Sequence, residues 1–155
     1  MSSFNIDLTR GQEIEEKWFN ILKSTIKDLV HVKGKEKKWD LYSKDRNIGI
    51  EIKYDPKSQD TGNIVVEIEM PPGNPSGLST TRARYWIFDT GVESFIVPTV
   101  DLHKLLSKHK PVVFTGPKDY YSKKAYLIRK EYISNISISI DEMYSRIPLG
   151  LGGFF

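Results

Sequence analysis

Asp40, Glu51 and Lys53 are the residues of this chain whose types and order suggest a chemistry. They share one stretch, Trp39 to Asp55, which reads WDLYSKDRNIGIEIKYD. Trp39 to Ser43 reads as an extended run and Lys44-Asp45-Arg46-Asn47 as a turn. Ile48 to Tyr54 then alternates Ile48, Ile50 and Ile52 against Gly49, Glu51 and Lys53. The pattern predicts a hairpin. Successive side chains of a strand point to opposite faces, so the isoleucines enter a core while Glu51 and Lys53 stand together on the other face. A register that sets Asp40 opposite them gathers two carboxylates and one ammonium.

Two carboxylates held close repel each other, and one pKa rises unless a cation sits between them. Mg²⁺ fills that role, since it takes oxygen ligands, commonly one or two carboxylates plus waters and phosphate oxygens. Such an ion acidifies a water and neutralises charge building on a phosphate, and a lysine orients that water or meets the phosphate charge. Hydrolysis of a phosphodiester is the reaction this set suits. The competing reading is a solvated hairpin face, where Glu and Lys two residues apart pair with neighbouring charges.

Asp40, followed across a hairpin by Glu51-Ile52-Lys53, resembles the PD-(D/E)XK nuclease superfamily, to which many restriction endonucleases and archaeal-type Holliday junction resolvases belong. Trp39 stands where the name of the pattern puts proline. The resemblance implies an α+β fold with a restriction endonuclease-like core, a central mixed sheet flanked by helices in the order αβββαβ. It implies hydrolysis of DNA with Mg²⁺, for which Mn²⁺ can substitute. Asp40 and Glu51 would then be metal ligands, helped by the carbonyl of Ile52, and Lys53 would assist the attacking water. Resolvase-like members carry a glycine and, four residues later, a glutamate on the first helix. Gly11 and Glu15 resemble that arrangement, which makes Glu15 a further candidate for the catalytic metal site; a favourable charge near a helix N-terminus explains it equally well. The expected activity is that of a structure-specific or Holliday junction resolvase-like endonuclease acting in DNA recombination and repair. A homodimer would suit symmetric cleavage of two strands. A restriction or repair nuclease, and a non-catalytic adaptor binding DNA or a sliding clamp, are the rivals on the same scaffold.

The chain has 155 residues, enough for one domain over residues 1–147 with its own core, followed by an apolar tail over 148–155. With no cysteine it has no thiol nucleophile and no cysteine zinc site, which suits a reducing compartment. No apolar run reaches the length of a membrane span, and MSSFNIDLTRGQ lacks the apolar centre of a secretory signal. A soluble cytoplasmic protein is expected. The net charge is only +3, but Lys33, Lys35, Lys37 and Lys38 lead into Asp40, and Lys118, Lys123, Lys124, Arg129 and Lys130 gather near the other end. Lys35, Lys37, Lys38, Lys123 and Lys124 are therefore candidates for binding DNA phosphates. A lysine-rich solubilising loop is the alternative for either cluster.

The elements that must position these residues follow in order. Gly11 to Val30 reads as a helix with Ile14, Trp18, Ile21, Leu22, Ile26 and Leu29 on one face and a cap at Thr9 and Gln12. Ile64 to Met70 reads as a third strand of the meander, its Glu67 and Glu69 either joining the acidic face or facing water. Pro71 to Pro75 break the chain, Ser76 or Ser79 caps a short helix running to about Arg82, and Tyr85 to Phe88 forms a strand. Ser76, Thr80, Thr81 and Arg82 at that helix start are candidates for the DNA backbone, ordinary capping being the alternative. A second hairpin turns at Asp89-Thr90-Gly91, and Thr99 caps a helix over Val100 to Lys108. A strand, Pro111 to Thr115, precedes a basic loop whose Tyr120, Tyr121 and Tyr126 either stack on bases or pack on an edge hairpin. Ile133 to Ile140 alternates as a last strand. His103 and His109 share no ligand spacing with an acid and are read as surface residues.

The tail RIPLGLGGFF is apolar and rich in glycine. Leu151, Phe154 and Phe155 resemble the hydrophobic half of short peptides that dock on DNA sliding clamps, with Pro148 in place of the usual glutamine. Folding back onto the core is the alternative.

Overall fold

A computed structural model of the protein describes residues 3–34, 37–115 and 122–148, with backbone alone for 3–8. The chain runs through α1 (Ser3–Lys23), β1 (Val30–His31), β2 (Leu41–Ser43), β3 (Ile48–Tyr54), α2 (Ser58–Thr61) and β4 (Asn63–Glu69). A 3₁₀ turn at Gly77–Ser79 leads to β5 (Tyr85–Asp89), β6 (Ser94–Pro98), α3 (Thr99–Leu106), β7 (Val112–Thr115), β8 (Ser122–Arg129), α4 (Lys130–Ile136) and α5 (Ile140–Arg146). Five strands form a mixed sheet in the order β1-β2-β3-β5-β6, in which β3 and β5 run parallel and the other neighbours antiparallel. A second, antiparallel sheet has the order β4-β8-β7. The fold is α+β, a mixed sheet flanked by helices.

β5 explains why both faces of the larger sheet are covered. Its sequence YWIFD is buried throughout, the apolar run Tyr85 to Phe88 being of the kind a two-sided strand needs. Tyr85 and Ile87 face Trp18, Leu22, Ile26 and Met143, while Trp86 and Phe88 face Ile64, Val66, Leu102 and Ile128. On β3 the three isoleucines join the first of these cores, as their alternation requires. Burying each is worth roughly 1.5–3 kcal/mol. A slip of one residue would turn all three outward, at a cost comparable to the whole stability of a small domain, so the register is firmly set.

Several elements differ from expectation. The first helix starts at Ser3 and ends at Lys23, so Thr9 and Gln12 lie within it, and Ile26 and Leu29 stay buried on the turns that follow. The strand after β3 does not extend the meander. β5 pairs with β3 from Ile50 to Tyr54 and takes its second edge, leaving none for β4. Instead α2 and Gly62, at φ 75°, turn the chain, and the Val65 N–H donates to Asp55 Oδ2 at 3.0 Å, seating β4 in the second sheet. The expected helix to Arg82 shrinks to the turn at Gly77–Ser79 because the segment lies flat on β4: a side chain at Gly77 would overlap the Glu67 carbonyl. Pro98, not Thr99, occupies the cap of α3, and Thr99 Oγ1 donates to the Ala83 carbonyl at 2.8 Å.

The segment read as a last strand forms α4 and the start of α5. Ile133 and Ile136, three apart, face one core, whereas Ile138 and Ile140 face the other. The chain thus changes sides of the sheet at this point, through a single bridge of Ile138 to Ile96. Ser139 then caps α5 by accepting from the Glu142 N–H at 3.0 Å.

Candidate functional site

The hairpin sets the geometry. Leu41 pairs with Ile50, Tyr42 with Gly49 and Ser43 with Ile48. One step further along this register, Asp40 lies opposite Glu51. The Asp40 N–H donates to the Ile50 carbonyl at 3.1 Å, and its own carbonyl accepts from the Val32 N–H at 2.8 Å. Asn47, at φ 52°, closes the turn in a conformation that asparagine tolerates. Trp39 stacks on Tyr42 with ring centroids 4.3 Å apart and covers Gly49, where a Cβ would come within 2.6 Å of the indole. Trp39 thus packs across the hairpin beside Asp40.

Asp40 is 2% exposed. Its Oδ2 accepts from the Ile52 N–H at 2.7 Å, its Oδ1 pairs with Lys37 Nζ, and its carboxylate shares a hydrogen bond with the Glu51 carboxyl. Burial, then the bond and charge of Asp40, push the Glu51 carboxyl up to about 9, against a weaker pull from Lys53 and Lys37. Burial works against the charge of Asp40 too, but the bonds from Glu51, Lys37 and the Ile52 N–H outweigh it and hold this carboxyl below its usual range. Near neutral pH the pair thus keeps one proton, shared across the Asp40–Glu51 hydrogen bond.

Glu15 is joined to this pair through Lys37. Its Oε1 lies 3.2 Å from Lys37 Nζ and 3.1 Å from His31 Nε2, and His31 Nδ1 lies 3.1 Å from Glu16 Oε2. Burial opposes the Lys37 charge, but Asp40 and Glu15 raise its pKa overall. Lys37, expected on the DNA backbone, is instead a cation between two acids. Among the described residues no three acidic or histidine side chains cage a common point, so Glu15 does not complete a shell around Asp40 and Glu51. The role of His31 had no sequence signal, because nothing in the spacing of α1 and β1 shows which side of the helix the strand returns along.

Lys53 Nζ sits 5.6 Å over the Trp86 ring, and both line a cleft of about 510 Å³ together with Glu15, Ile52, Lys57 and Lys123. β4, β7 and β8 supply the wall opposite α1 through Val65, Glu67, Phe114 and Lys123. The two lysines predicted together on β8 part company: Lys123 faces the cleft, with its Nζ 5.1 Å over Phe114, whereas Lys124 Nζ lies 3.7 Å from Glu69 Oε2. Lys38 and Arg82 are exposed. Ser76, Thr80 and Thr81 do not open a helix onto a phosphate. Ser76 Oγ donates to Glu67 Oε2 at 2.8 Å, Thr80 Oγ1 contacts the Gly77 carbonyl at 3.4 Å, and Thr81 Oγ1 accepts from Ala83 N–H and Trp86 Nε1–H. Tyr126, on the central strand of the second sheet, packs against a core. Lys35, Lys118, Tyr120, Tyr121, Leu151, Phe154 and Phe155 lie outside the described residues.

A second buried acid, Asp89, was read from sequence only as a turn residue. Its Oδ2 accepts from Lys17 Nζ at 2.6 Å and Trp18 Nε1 at 2.9 Å, and its Oδ1 from the Gly91 N–H at 2.8 Å. Burial raises its pKa, but Lys17, Gly91 and Trp18 together bring it below the ordinary carboxylate value.

Asp40 and Glu51 are a paired oxygen donor set with one proton to give up, which fits a hard divalent cation: Mg²⁺ takes one or two carboxylates and completes its shell with water. The structure thus defines an α+β protein with two acids meeting across the first hairpin of a mixed sheet. Among the described residues no helix is long and apolar enough to cross a membrane. Compared with known proteins, the chain matches no family model, no curated protein and no solved structure.

Proposed function

We propose that the protein is a divalent-metal-dependent DNA endonuclease of the PD-(D/E)XK type, acting on branched DNA in the manner of a junction resolvase. The observation that carries this reading is the meeting of the Asp40 and Glu51 carboxyls across the β2–β3 register, next to a cleft bearing Lys53, Lys57 and Lys123. The order α1, then antiparallel β1, β2 and β3, then β5 parallel to β3, supports it. Where the restriction endonuclease-like core crosses over by a helix, this chain has the single-turn α2, then β4 and a 3₁₀ turn.

Asp40 and Glu51 would hold Mg²⁺ or Mn²⁺, with the Ile52 carbonyl as a further oxygen donor and Glu15 at the border of the site. The bound ion would supply an acidified water and neutralise charge on the phosphate. Lys53, whose ammonium lies on the cleft wall over Trp86, would meet the phosphate or orient the attacking water. Lys57 and Lys123 would hold the backbone at the cleft, with exposed Lys38 and Arg82 reaching more distant phosphates.

Purified protein incubated with branched, linear and single-stranded DNA, in Mg²⁺ or in EDTA, tests the reading. Cutting is expected in Mg²⁺ only and most readily on branched DNA, and Lys53→Met should slow it while leaving DNA binding largely intact. Salt-dependent binding with no cutting on any substrate would replace the enzyme with an adaptor. Cutting that ignores branching would point to a restriction or repair nuclease.

A further inference from the structure

Lys37 reaches acids that the fold presents from two directions. Its ammonium pairs with Asp40 Oδ1 just before β2 and lies 3.2 Å from Glu15 Oε1 on α1. It arrives from a link whose neighbours Lys33, Gly34 and Lys38 are exposed, and its own side chain is 26% exposed. A flexible four-carbon stem on such a link can withdraw its charged end into water without unpairing buried backbone. Lys53 is placed differently, on a central strand with its ammonium over Trp86.

We propose that Lys37 is a built-in cation, holding Glu15 and Asp40 together until a divalent ion takes its place on Asp40, so that the ion binds by exchange with the ammonium. This rests on the reading of Asp40 and Glu51 as a metal site. Exchange has two consequences. The ion must compete with a tethered charge already in contact with its ligand, which weakens net affinity. The displaced ammonium is then free at the border of the site, where a phosphate can take it up.

Titration with Mn²⁺, followed by calorimetry and by the electron paramagnetic resonance signal of the free ion, tests the exchange without relying on activity. Lys37→Met should bind Mn²⁺ at least about fivefold more tightly than the wild type, as expected when a coupled competitor is removed. Lys37→Arg, which keeps the charge, should stay close to the wild type, and Asp40→Asn should lose binding. Should Lys37→Met fold poorly, Lys37→Gln offers the same loss of charge with a polar end. Unchanged or weaker Mn²⁺ binding in the neutral variants, the result for a lysine that only braces the site, overturns the exchange and leaves the metal site standing. No binding in the wild type or in any variant overturns both.

Discussion

Asp40 and Asp89 are each 2% exposed, each adjoins β3, and each is linked to α1, but their partners differ in kind. Around Asp89 every contact is a donor: an ammonium, an indole N–H and a backbone N–H. Around Asp40 a backbone N–H and an ammonium share the carboxylate with a second acid, Glu51. A buried charge surrounded by donors is settled, and it ties helix to sheet. A buried acid facing another acid costs folding free energy, and such arrangements mark places where a shifted pKa or a cation is used. The same helix serves both, two residues apart, with Glu15 toward one and Lys17 toward the other.

The largest effect that would sharpen this contrast is on catalysis. Glu51→Gln is expected to lower Mg²⁺-dependent cleavage by at least about a hundredfold, while its stability in urea melts near neutral pH equals or exceeds that of the wild type, since the raised Glu51 carboxyl costs the fold there. Asp89→Asn should do the reverse. Losing the charged acceptor for Lys17 and weakening the buried bonds to Trp18 and Gly91 should destabilise by about 2–3 kcal/mol in urea melts, with cleavage per folded molecule changed less than about threefold. If both variants lost stability alike, the distinction between the two acids would collapse.

The two acids should also respond to pH with opposite signs. Asp89 has a lowered folded pKa, so its stabilisation is present above the ordinary value of 3.8 and is lost as pH falls through the folded value. Glu51 has a raised one, so its stabilisation is present below 4.5 and is lost as pH rises toward about 9. Thermal melts in EDTA should therefore show the wild type falling relative to Glu51→Gln across the second window, and falling relative to Asp89→Asn below the first. Parallel curves would contradict the assignment.

A smaller effect tests how the hairpin supports Asp40. Gly49→Ala puts a methyl within 2.6 Å of the Trp39 ring and should cost about 1–3 kcal/mol in a chemical melt. Trp39→Ala in the same background should recover part of that loss, and no recovery would mean that the clash lies elsewhere.

The hairpin was legible because alternation and a polar turn are local signals, and from them the meeting of Asp40 with Glu51 follows. Lys37 was legible only as a positive charge; that it points inward to Glu15 and Asp40 depends on where α1 passes β2, a long-range fact. Asp89 was hidden for a similar reason, since its partners Lys17 and Trp18 lie 72 and 71 residues away. The placement of β4 turned on which strand takes the free edge of β3, and an alternating sequence suits either sheet. The isoleucines of Ile133 to Ile140 sit at both two- and three-residue spacings, so alternation alone could not exclude the helices found there.

The most direct measurement is strand cleavage by Asp40→Asn in Mg²⁺, set beside its melting curve. The account predicts a folded protein that binds DNA and cuts it at least about a hundredfold more slowly than the wild type, whose own cutting stops in EDTA. Cleavage at the wild-type rate by folded Asp40→Asn, or wild-type cleavage that persists without divalent ions, would contradict it.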